Sequence, residues 1–394
     1  MVKSKNYLVK AQLASVFLIP VTPHIEIFNN LQLDDIPILI FFVLFVFNIF
    51  LKNIKKFYSK EITPISLFIF YMFFQNFFIN GNLLFSDLIR YIFYLILLIT
   101  ILNLKNSEFL DRFLFMLLIF LSLFSIITYF FKLDFGIDAY NYWKIGFNSN
   151  NWIFTKGRIN GFQAGGPNAF GAIITCLGLY CIPNLKNNSK DIIIFISLFG
   201  CFFTYSRASL IVFVLMLFVY ILLVKDYLRI FTIFITLFIT MNFGLIDRFT
   251  SESETEGVED RVQMQQASFK DISSRSVQKN IFGYGFENFG IVRNELKSTE
   301  EFSDDLRPTG PHNSFLFIVL NYGFFGLILF LNIFLREFIS FIKLFKENII
   351  KPNYLFLGSF VALSFTGDFI QNHSISVLFF LLFFKLILET TDER

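Results

Sequence analysis

The stretch that decides the fold is Arg207–Val224, which reads RASLIVFVLMLFVYILLV. After its arginine it holds no charged residue, and it is long enough to cross the hydrocarbon part of a bilayer as a helix. Backbone N–H and C=O groups in lipid must be satisfied within such a segment, and the run lacks the alternation of a barrel strand. It is therefore predicted to be a transmembrane helix.

Comparable apolar runs recur along nearly the whole chain of 394 residues, which is 55% hydrophobic and 20% aromatic. Such a composition is unusual for a soluble domain. We therefore predict an all-α fold, a polytopic transmembrane helix bundle of about twelve spans in one membrane domain that covers residues 1–394. The predicted spans are Tyr7–Val21, Ile36–Leu51, Ile62–Phe78, Leu83–Leu104, Phe109–Phe131, Pro167–Leu185, Asp191–Ser206, Arg207–Val224, Leu228–Ile246, His312–Leu335, Tyr354–Ile370 and Ser374–Leu388.

The distribution of Lys and Arg in the connections between these spans predicts their orientation. With the N-terminus inside, every inner connection is basic, and the one after the second span contains Lys52, Lys55, Lys56 and Lys60. The first outer connection, Thr22–Asp35, contains neither Lys nor Arg. Both termini are therefore predicted to be cytoplasmic. The net charge of +3 reflects this bias and gives no support for binding to nucleic acid.

Two connections, residues 132–166 and residues 247–311, are much longer than a turn, and the predicted orientation places both on the outer side. The larger one lies between the ninth and tenth spans. Loops of this length are usually functional or disordered. The first contains Trp143 and Trp152, the two tryptophans of the protein, which either form an aromatic belt at the membrane interface or stack on sugar rings.

The larger loop has three parts. It begins with an acidic tract, continues from Arg261 with a loose helical period that predicts a helix on the membrane surface, and then reaches Gly283-Tyr284-Gly285-Phe286. No strand precedes these glycines and a third glycine is absent, so they do not indicate a nucleotide-binding loop. We interpret them as a tight turn with aromatic anchors, in which Tyr284 is a further candidate for stacking on a glycan.

Four polar residues lie in separate segments that the predicted orientation puts on one side: Arg158, Arg207, Arg261 and His312. Considered singly, each arginine is an interfacial or surface charge, and the histidine is a hydrogen-bonding residue at a helix start. Together they suit phosphate chemistry, because guanidinium groups bind phosphate oxygens bidentately and keep their charge at every relevant pH. A histidine beside them can take a proton from an attacking hydroxyl.

Two other pairs of ionisable residues leave a transporter function open. Asp87 and Arg90 lie about one helical turn apart within the fourth span, and Asp368 lies near His373 at the outer end of the eleventh span. Either pair neutralises itself or belongs to a proton relay, so a transporter is an alternative.

The three cysteines, Cys176, Cys181 and Cys201, all fall inside predicted spans, where a thiol behaves as a small hydrophobic group. The sequence contains no Cys/His spacing typical of metal ligands. We therefore predict neither a disulfide nor a metal site.

These residues and their order resemble the O-antigen polymerase and O-antigen ligase superfamily of bacterial inner membranes. The resemblance runs from about Arg158 to about Gly326, and the number of spans agrees beyond it. One departure is Ala208, where the family often has glycine. The matching motifs are Arg158 with Gly161 and Pro167-Asn168, Ser206-Arg207-Ala208, Arg261 with Gly283-Tyr284-Gly285-Phe286, and His312-Asn313-Ser314-Phe315-Leu316 with Tyr322-Gly323-Phe324-Phe325-Gly326.

The resemblance implies a metal-independent glycosyltransferase of the bacterial inner membrane that acts at the periplasmic face without a cofactor. Its donor would be a glycan on undecaprenyl pyrophosphate. Arg207 and Arg261 would bind the pyrophosphate, His312 would activate the acceptor hydroxyl, and Arg158 would assist either step. A flippase and a chain-length regulator protein are implied as partners.

The leading hypothesis is a polymerase that joins lipid-linked repeat units of O-antigen or a related surface polysaccharide. A ligase that transfers the glycan to lipid A-core uses the same donor, so the sequence hardly separates the two. A transporter or flippase for lipid-linked sugars is the third hypothesis. Inverted repeats or broken spans in matching positions of the two halves would favour it, and neither is clear in the sequence.

Overall fold

The computed structural model describes residues 2–28, 31–55, 59–75, 77, 85–104, 107–140, 143–148, 157–162, 166–185, 187–244, 246, 253–285, 311–346, 354–367, 370 and 372–392. Within these residues the chain is mostly helical, with fourteen α-helices and two small antiparallel sheets. The helices are α1 (Val2–Leu18), α2 (Asp35–Phe50), α3 (Ile62–Phe74), α4 (Phe85–Leu102), α5 (Glu108–Phe131), α6 (Gly166–Cys181), α7 (Asn187–Phe203), α8 (Arg207–Val224), α9 (Leu228–Met241), α10 (Ser253–Ser274), α11 (Val277–Phe282), α12 (Ser314–Lys346), α13 (Leu355–Ser364) and α14 (His373–Asp392).

A helix occurs at every predicted span, which confirms the prediction of a mostly helical membrane protein. Four segments of the described chain are long and apolar enough to cross a membrane: Glu108–Phe131, Gly166–Asn184, Arg207–Val224 and Ser314–Ser340. Several shorter apolar helices accompany them. A total of about twelve crossings stays a prediction.

Helix α6 lies at the centre of the bundle. It is apolar all round, and it packs against α5, α7, α8, α13 and α14. A helix with this pattern is expected to be buried on all sides. A Cβ added at Gly171 would lie 2.8 Å from Thr204 Oγ1 and 3.0 Å from Ser206 Cβ, so the turn between α7 and α8 rests directly on α6. This close approach uses Gly171, so Ala208 in the turn does not prevent it.

The first long loop contains a sheet that the sequence analysis did not predict. Strands β1 (Glu26–Phe28) and β2 (Leu31–Gln32) form a separate hairpin before α2. The first long loop contains β3 (Asp134–Tyr140), β4 (Trp143–Asn148) and β5 (Arg158–Asn160). Strands β3, β4 and β5 form a three-stranded antiparallel sheet in which Gly146 pairs with Asn160. The prediction of an all-α fold is wrong in this detail. The sequences DFGIDAY and WKIGFN alternate apolar and other residues, and this period of two was the signal for strands.

Helix α12 is broken at Gly323, where the backbone has a φ of 68° and a ψ of −179°. Gly283, just after α11, also has a positive φ of 77°. A Cβ on Gly323 would collide with the carbonyl group of Ile281, and a Cβ on Gly283 would collide with that of Asn321. Two glycine backbones thus pack against each other at the predicted tight turn. Phe286 of that motif lies outside the described residues.

The end of α3 stabilises this break. Tyr71 Oη donates to the carbonyl oxygen of Tyr322 over 2.6 Å, and Gln75 Nε2 donates to the carbonyl oxygens of Asn321 over 2.7 Å and Phe282 over 2.8 Å. Carbonyl groups that the break removes from the helical pattern are therefore paired. The contacts fix the first part of α12, which carries the predicted catalytic histidine at its start.

Candidate functional site

Arg158 begins β5 and reaches the turn between α7 and α8. Its Nε donates to the carbonyl oxygen of Thr204 over 3.2 Å, and its Nη2 donates to the carbonyl oxygen of Tyr205 over 3.4 Å and to Asn168 Oδ1 over 3.1 Å. Tyr205 has a positive φ of 51°, which is uncommon for a residue with a side chain. Arg158 therefore holds the turn that precedes Arg207 and joins it to the start of α6.

Arg207 is the first residue of α8 and is half-buried. The turn before it is fixed on both sides, because Tyr205 Oη donates to the carbonyl oxygen of Phe243 over 2.6 Å and Ser206 Oγ lies 2.9 Å from Ser209 Oγ. The N-terminus of a helix carries partial positive charge from its N–H groups, which adds to that of the guanidinium. This corner of the molecule therefore favours an anion.

Arg261 lies in α10, a helix with one buried face. Met264 and Ala267 are buried, whereas Val262 and Phe269 are exposed. The helix covers most of the segment after Arg261 in which a surface helix was predicted. Its contact with a membrane surface stays a prediction.

Asp271 and Arg275 fasten the end of α10 to the neighbouring elements. Arg275 Nη1 lies 3.6 Å from Asp271 Oδ2, and Arg275 Nη2 donates to the carbonyl oxygen of Val319 in α12 over 3.2 Å. Tyr284 Oη donates to Asp271 Oδ1 over 2.7 Å. This pair was not among the residues predicted from the sequence. The spacing of an acid and a base four residues apart at the end of a helix was the available signal.

The ring of Tyr284 is used for contacts within the protein. Lys279 Nζ lies 4.6 Å and Arg275 Cζ lies 5.4 Å from its centroid. Together with the hydrogen bond to the hydroxyl, these cation–π contacts favour an anchoring role over stacking on a sugar. Trp143 belongs to β4, but its side chain is not among those described, and Trp152 lies outside the described residues. Glycan stacking by these rings therefore stays a prediction.

His312 stands two residues before α12 and has a positive φ of 49°. The helix begins directly after Asn313, whose Oδ1 accepts the backbone N–H of Leu316 over 3.1 Å as an N-cap. Ser314 Oγ donates to the carbonyl oxygen of Gly367 over 2.9 Å and so fixes this helix start against the end of α13. Positive φ at a residue with a side chain is uncommon, and such strain is concentrated at functional sites.

Electrostatic interactions connect the four predicted site residues in a chain, in which Arg261 acts on both Arg158 and His312, and Arg207 acts on Arg158. The pKa of Arg158 is lowered to about 10, first by burial and then by the positive charges of Arg261 and Arg207. The pKa of His312 is lowered to about 4, first by burial and then by the charge of Arg261. Four separate segments thus contribute to one group of side chains, which we call the arginine–histidine cluster.

The other predicted polar pairs are only partly described. The side chain of Asp87 and the whole of Asp368 lie outside the described residues. Arg90 and His373 are described and lie close enough to interact electrostatically, although the sequence analysis paired each with a different residue.

The described residues contain no group of three or more His, Cys, Asp or Glu side chains placed to hold a metal ion. Cys176, Cys181 and Cys201 are buried and outside any disulfide. Their burial agrees with the prediction that they lie within spans.

Apolar helices around a buried central helix make this an integral membrane protein, with a cationic cluster at one end of the bundle. Residues 192–331 match the family model described as Wzy_C: O-Antigen ligase. The matched segment contains Arg207, Arg261 and His312, and Arg158 precedes it. The match confirms the resemblance found in the motifs. No curated protein matches the chain.

Proposed function

We propose that the protein is a polymerase that joins lipid-linked oligosaccharide repeat units of O-antigen or a related surface polysaccharide at the periplasmic face. The donor is a glycan on undecaprenyl pyrophosphate, and the acceptor is a hydroxyl group of a second lipid-linked unit. The observation that supports the proposal is the arginine–histidine cluster, in which the charges of Arg207 and Arg261 act on Arg158 and the charge of Arg261 also acts on the imidazole of His312.

The positive charge of this cluster suits a pyrophosphate. Arginines at short range repel one another, so an anion between them is stabilised. Even with a pKa of about 10, Arg158 stays protonated at neutral pH. Guanidinium groups bind the oxygens of phosphates bidentately, and a helix N-terminus adds to the attraction. We assign Arg207 and Arg261 to the donor pyrophosphate.

His312 is the general base in this proposal. Its pKa of about 4 leaves the imidazole neutral at pH 7, so a ring nitrogen can accept the proton of the acceptor hydroxyl. The hydroxyl oxygen attacks the anomeric carbon of the donor sugar and forms the new glycosidic bond. The bond from that carbon to the pyrophosphate breaks, and undecaprenyl pyrophosphate leaves with the electron pair. Arg207 and Arg261 stabilise its charge.

Arg158 has a positioning role. Three of its hydrogen bonds go to the protein, at Thr204, Tyr205 and Asn168. These bonds orient the turn from which the side chain of Arg207 projects. Arg158 also adds to the positive potential that attracts the donor.

Transfer by the full-length protein in liposomes that contain lipid-linked repeat units tests the proposal. His312→Ala and Arg207→Ala are each expected to lower the rate about a hundredfold or more, because they remove the base and a transition-state cation. Arg112→Ala is the matched control, since that arginine side chain is 79% exposed and far from the cluster in the chain. Wild-type rates for His312→Ala would refute the general-base role.

The description of the matched family supports a second candidate, an O-antigen ligase that transfers the glycan to lipid A-core. Both candidates use the same donor and therefore the same cluster. The surface glycan of a deletion strain separates them. A single repeat unit on the core indicates a lost polymerase, whereas accumulated lipid-linked polymer indicates a lost ligase. Co-purification with a flippase or a chain-length regulator would favour the polymerase.

A further inference from the structure

Three side chains near the end of α10 form a buried group that joins separate elements, and we call Asp271, Arg275 and Tyr284 the Asp271 network. Asp271 lies in α10, Arg275 directly follows that helix, and Tyr284 follows α11. Tyr284 Oη donates to Asp271 Oδ1 over 2.7 Å, and Arg275 Nη1 lies 3.6 Å from Asp271 Oδ2. The side chains of Arg275 and Asp271 are only 2% and 7% exposed, so the loss of either partner leaves a buried charge unpaired.

The break in α12 provides acceptors for this network. The last carbonyl groups of a helix have no partner within it, and the break at Gly323 creates such an end inside α12. Arg275 Nη2 donates to the carbonyl oxygen of Val319 over 3.2 Å, and the backbone N–H of Tyr284 donates to that of Leu320 over 2.9 Å. The network therefore attaches the end of α10 to the first part of α12, the part that follows the candidate general base.

Arg261 lies on the same face of α10 as the network. From Arg261 onward, steps of three and four residues lead to the buried Met264, Ser268 and Asp271 and then to Arg275. Residues with this spacing line one face of an α-helix. An attachment at Asp271 and Arg275 therefore fixes the rotation of α10 about its axis, and with it the direction in which Arg261 projects.

The same attachment limits the tilt of α10. Among the described elements this helix packs mainly against α12, so the network is a main link between it and the bundle. Arg261 precedes Arg275 by fourteen residues, which corresponds to about 21 Å along an α-helix. A tilt of about ten degrees at the Arg275 end would therefore move Arg261 by about 4 Å. Such a displacement exceeds the length of a hydrogen bond between a guanidinium group and a phosphate.

We propose that Asp271, Arg275 and Tyr284 are positioning residues, which hold α10 against α12 so that Arg261 stays in place for the donor pyrophosphate. This inference rests on the proposed function, because it takes Arg261 as a group that binds the donor. The network touches no substrate and acts through Arg261. A variant that breaks it while keeping every charge therefore displaces a cation of the site without removing one.

The distance between α10 and α12 tests the position of the helix directly. Nitroxide labels are attached to Val262→Cys in α10 and Ile328→Cys in α12, at residues that are 46% and 62% exposed. Pulsed electron paramagnetic resonance then measures the distance distribution in the full-length protein in nanodiscs. Arg275→Lys is expected to displace or broaden this distribution by about 3 Å or more, as a tilt of about ten degrees would.

The variants differ in what they remove from the network. Arg275→Lys keeps the charge, but an ammonium does not reach both acceptors of the guanidinium, Asn280 Oδ1 in α11 and the carbonyl oxygen of Val319 in α12. Tyr284→Phe removes one hydroxyl and keeps the ring, and it is expected to give a smaller displacement. Ser273→Ala is the matched control, since Ser273 is exposed in the same turn and its hydroxyl donates to a carbonyl oxygen of its own helix.

Binding of undecaprenyl pyrophosphate to the protein in nanodiscs tests whether the network acts through Arg261. Arg261→Gln is expected to weaken binding about tenfold, and Arg275→Lys about fivefold. The double variant is expected to bind within about twofold of Arg261→Gln alone, because the displaced residue has already lost its charge. Ser273→Ala is expected to bind as the wild type does.

Unchanged distance distributions in both Arg275→Lys and Tyr284→Phe would overturn the inference. Wild-type binding by Arg275→Lys beside weakened binding by Arg261→Gln would overturn it as well, and so would additive losses in the double variant, because the network would then not act through Arg261. If Arg261→Gln bound undecaprenyl pyrophosphate as the wild type does, the assignment of Arg261 to the donor would fail instead. A displaced α10 in Arg275→Lys would in that case still support the positioning of Arg261 by the network.

Discussion

Arg261 acts on both parts of the arginine–histidine cluster through its charge. Burial has the larger effect, and the charge of Arg261 further lowers the pKa of Arg158 and that of His312. Before the donor binds, the imidazole is therefore neutral and adds no further positive charge to the cluster. A bound pyrophosphate offsets the charge of Arg261 and so raises the pKa of His312. In the proposed function, the base therefore becomes stronger when the donor is in place.

This coupling predicts how transfer depends on pH. Because the neutral imidazole is the base and the pKa of His312 is about 4, kcat/KM is expected to stay constant from about pH 8 to about pH 6 and to fall only as the pH approaches 4. The value of kcat reports the donor-bound protein and is expected to fall at a higher pH. Initial rates of the reconstituted protein measure both profiles.

Two variants of Arg261 are the controls for this pH profile. Arg261→Lys keeps the charge and should leave the acidic limb of kcat/KM in place. Arg261→Gln removes the charge, so the pKa of His312 rises and the limb moves to higher pH. A wild-type limb at about 6.5, the ordinary value for histidine, would contradict the prediction.

A substitution of Arg158 can separate the effect of its hydrogen-bonding geometry from the effect of its charge. Its guanidinium reaches three acceptors on two segments, and a lysine ammonium of equal charge does not span them. Arg158→Lys is expected to lower the transfer rate about tenfold and to destabilise the protein by about 1–3 kcal/mol, because buried carbonyl groups lose their partners. Thermal unfolding and transfer assays of the purified protein measure these effects. Near wild-type values in both assays would show that charge alone matters.

Among the elements, α12 depends on a glycine at its break. Gly323→Ala is expected to destabilise the protein by about 3 kcal/mol, because its backbone conformation disfavours a side chain and the new Cβ meets the carbonyl group of Ile281. Gly136→Ala is the control, since Gly136 also has a positive φ but open space around it, and should cost about 1 kcal/mol. Thermal unfolding compares the two variants. Equal losses would contradict the role of the backbone contact.

The elements differ in how well the sequence predicted them. Helices at the apolar runs were predictable, because lipid leaves the backbone few alternatives. The sheet of β3, β4 and β5 was missed because its strands are short and stand in a polar loop. The predicted orientation grouped Arg158, Arg207, Arg261 and His312 on one side of the membrane. It did not reveal that Arg158 bonds to the turn before Arg207, because that contact depends on how β5 packs against α6.

The network around Asp271 and the pair of His24 with Asp34 show the same limit. Each depends on contacts between elements or loops whose relative placement the sequence does not specify. Asp271 has a partner on its own helix end, but its bond to Tyr284 requires the turn at Gly283 to fold back. His24 and Asp34 lie on either side of a small hairpin that no hydrophobic period in the sequence predicted.

Over the whole molecule, the central helix α6 is held at both of its ends. At its start, Asn168 contacts Arg158. At its other end, Tyr180 bonds to the buried Lys385 of α14, whose Nζ also lies 2.7 Å from Asp111 Oδ1 of α5. The ammonium of Lys385 is buried, so removal of its acidic partner is costly. The bundle therefore gives the candidate site a rigid support that extends through its full depth.

Orientation in the membrane decides whether the arginine–histidine cluster can meet its donor. Val277 and Tyr227 are 74% and 54% exposed, and they lie on opposite sides in the predicted topology. A membrane-impermeant maleimide is expected to label Val277→Cys in intact spheroplasts and Tyr227→Cys only after lysis. The wild-type protein is the background control, because its three native cysteines are buried.

The reverse labelling pattern would overturn the proposed function. Val277 lies between Arg261 and His312 in the chain, in the loop that joins α9 to α12. If this loop faced the cytosol, both residues would be separated from a periplasmic donor by the bilayer, and their charges would act on no pyrophosphate there. Labelling of Val277→Cys from outside would instead place the base and an arginine in the compartment that the lipid-linked donor requires.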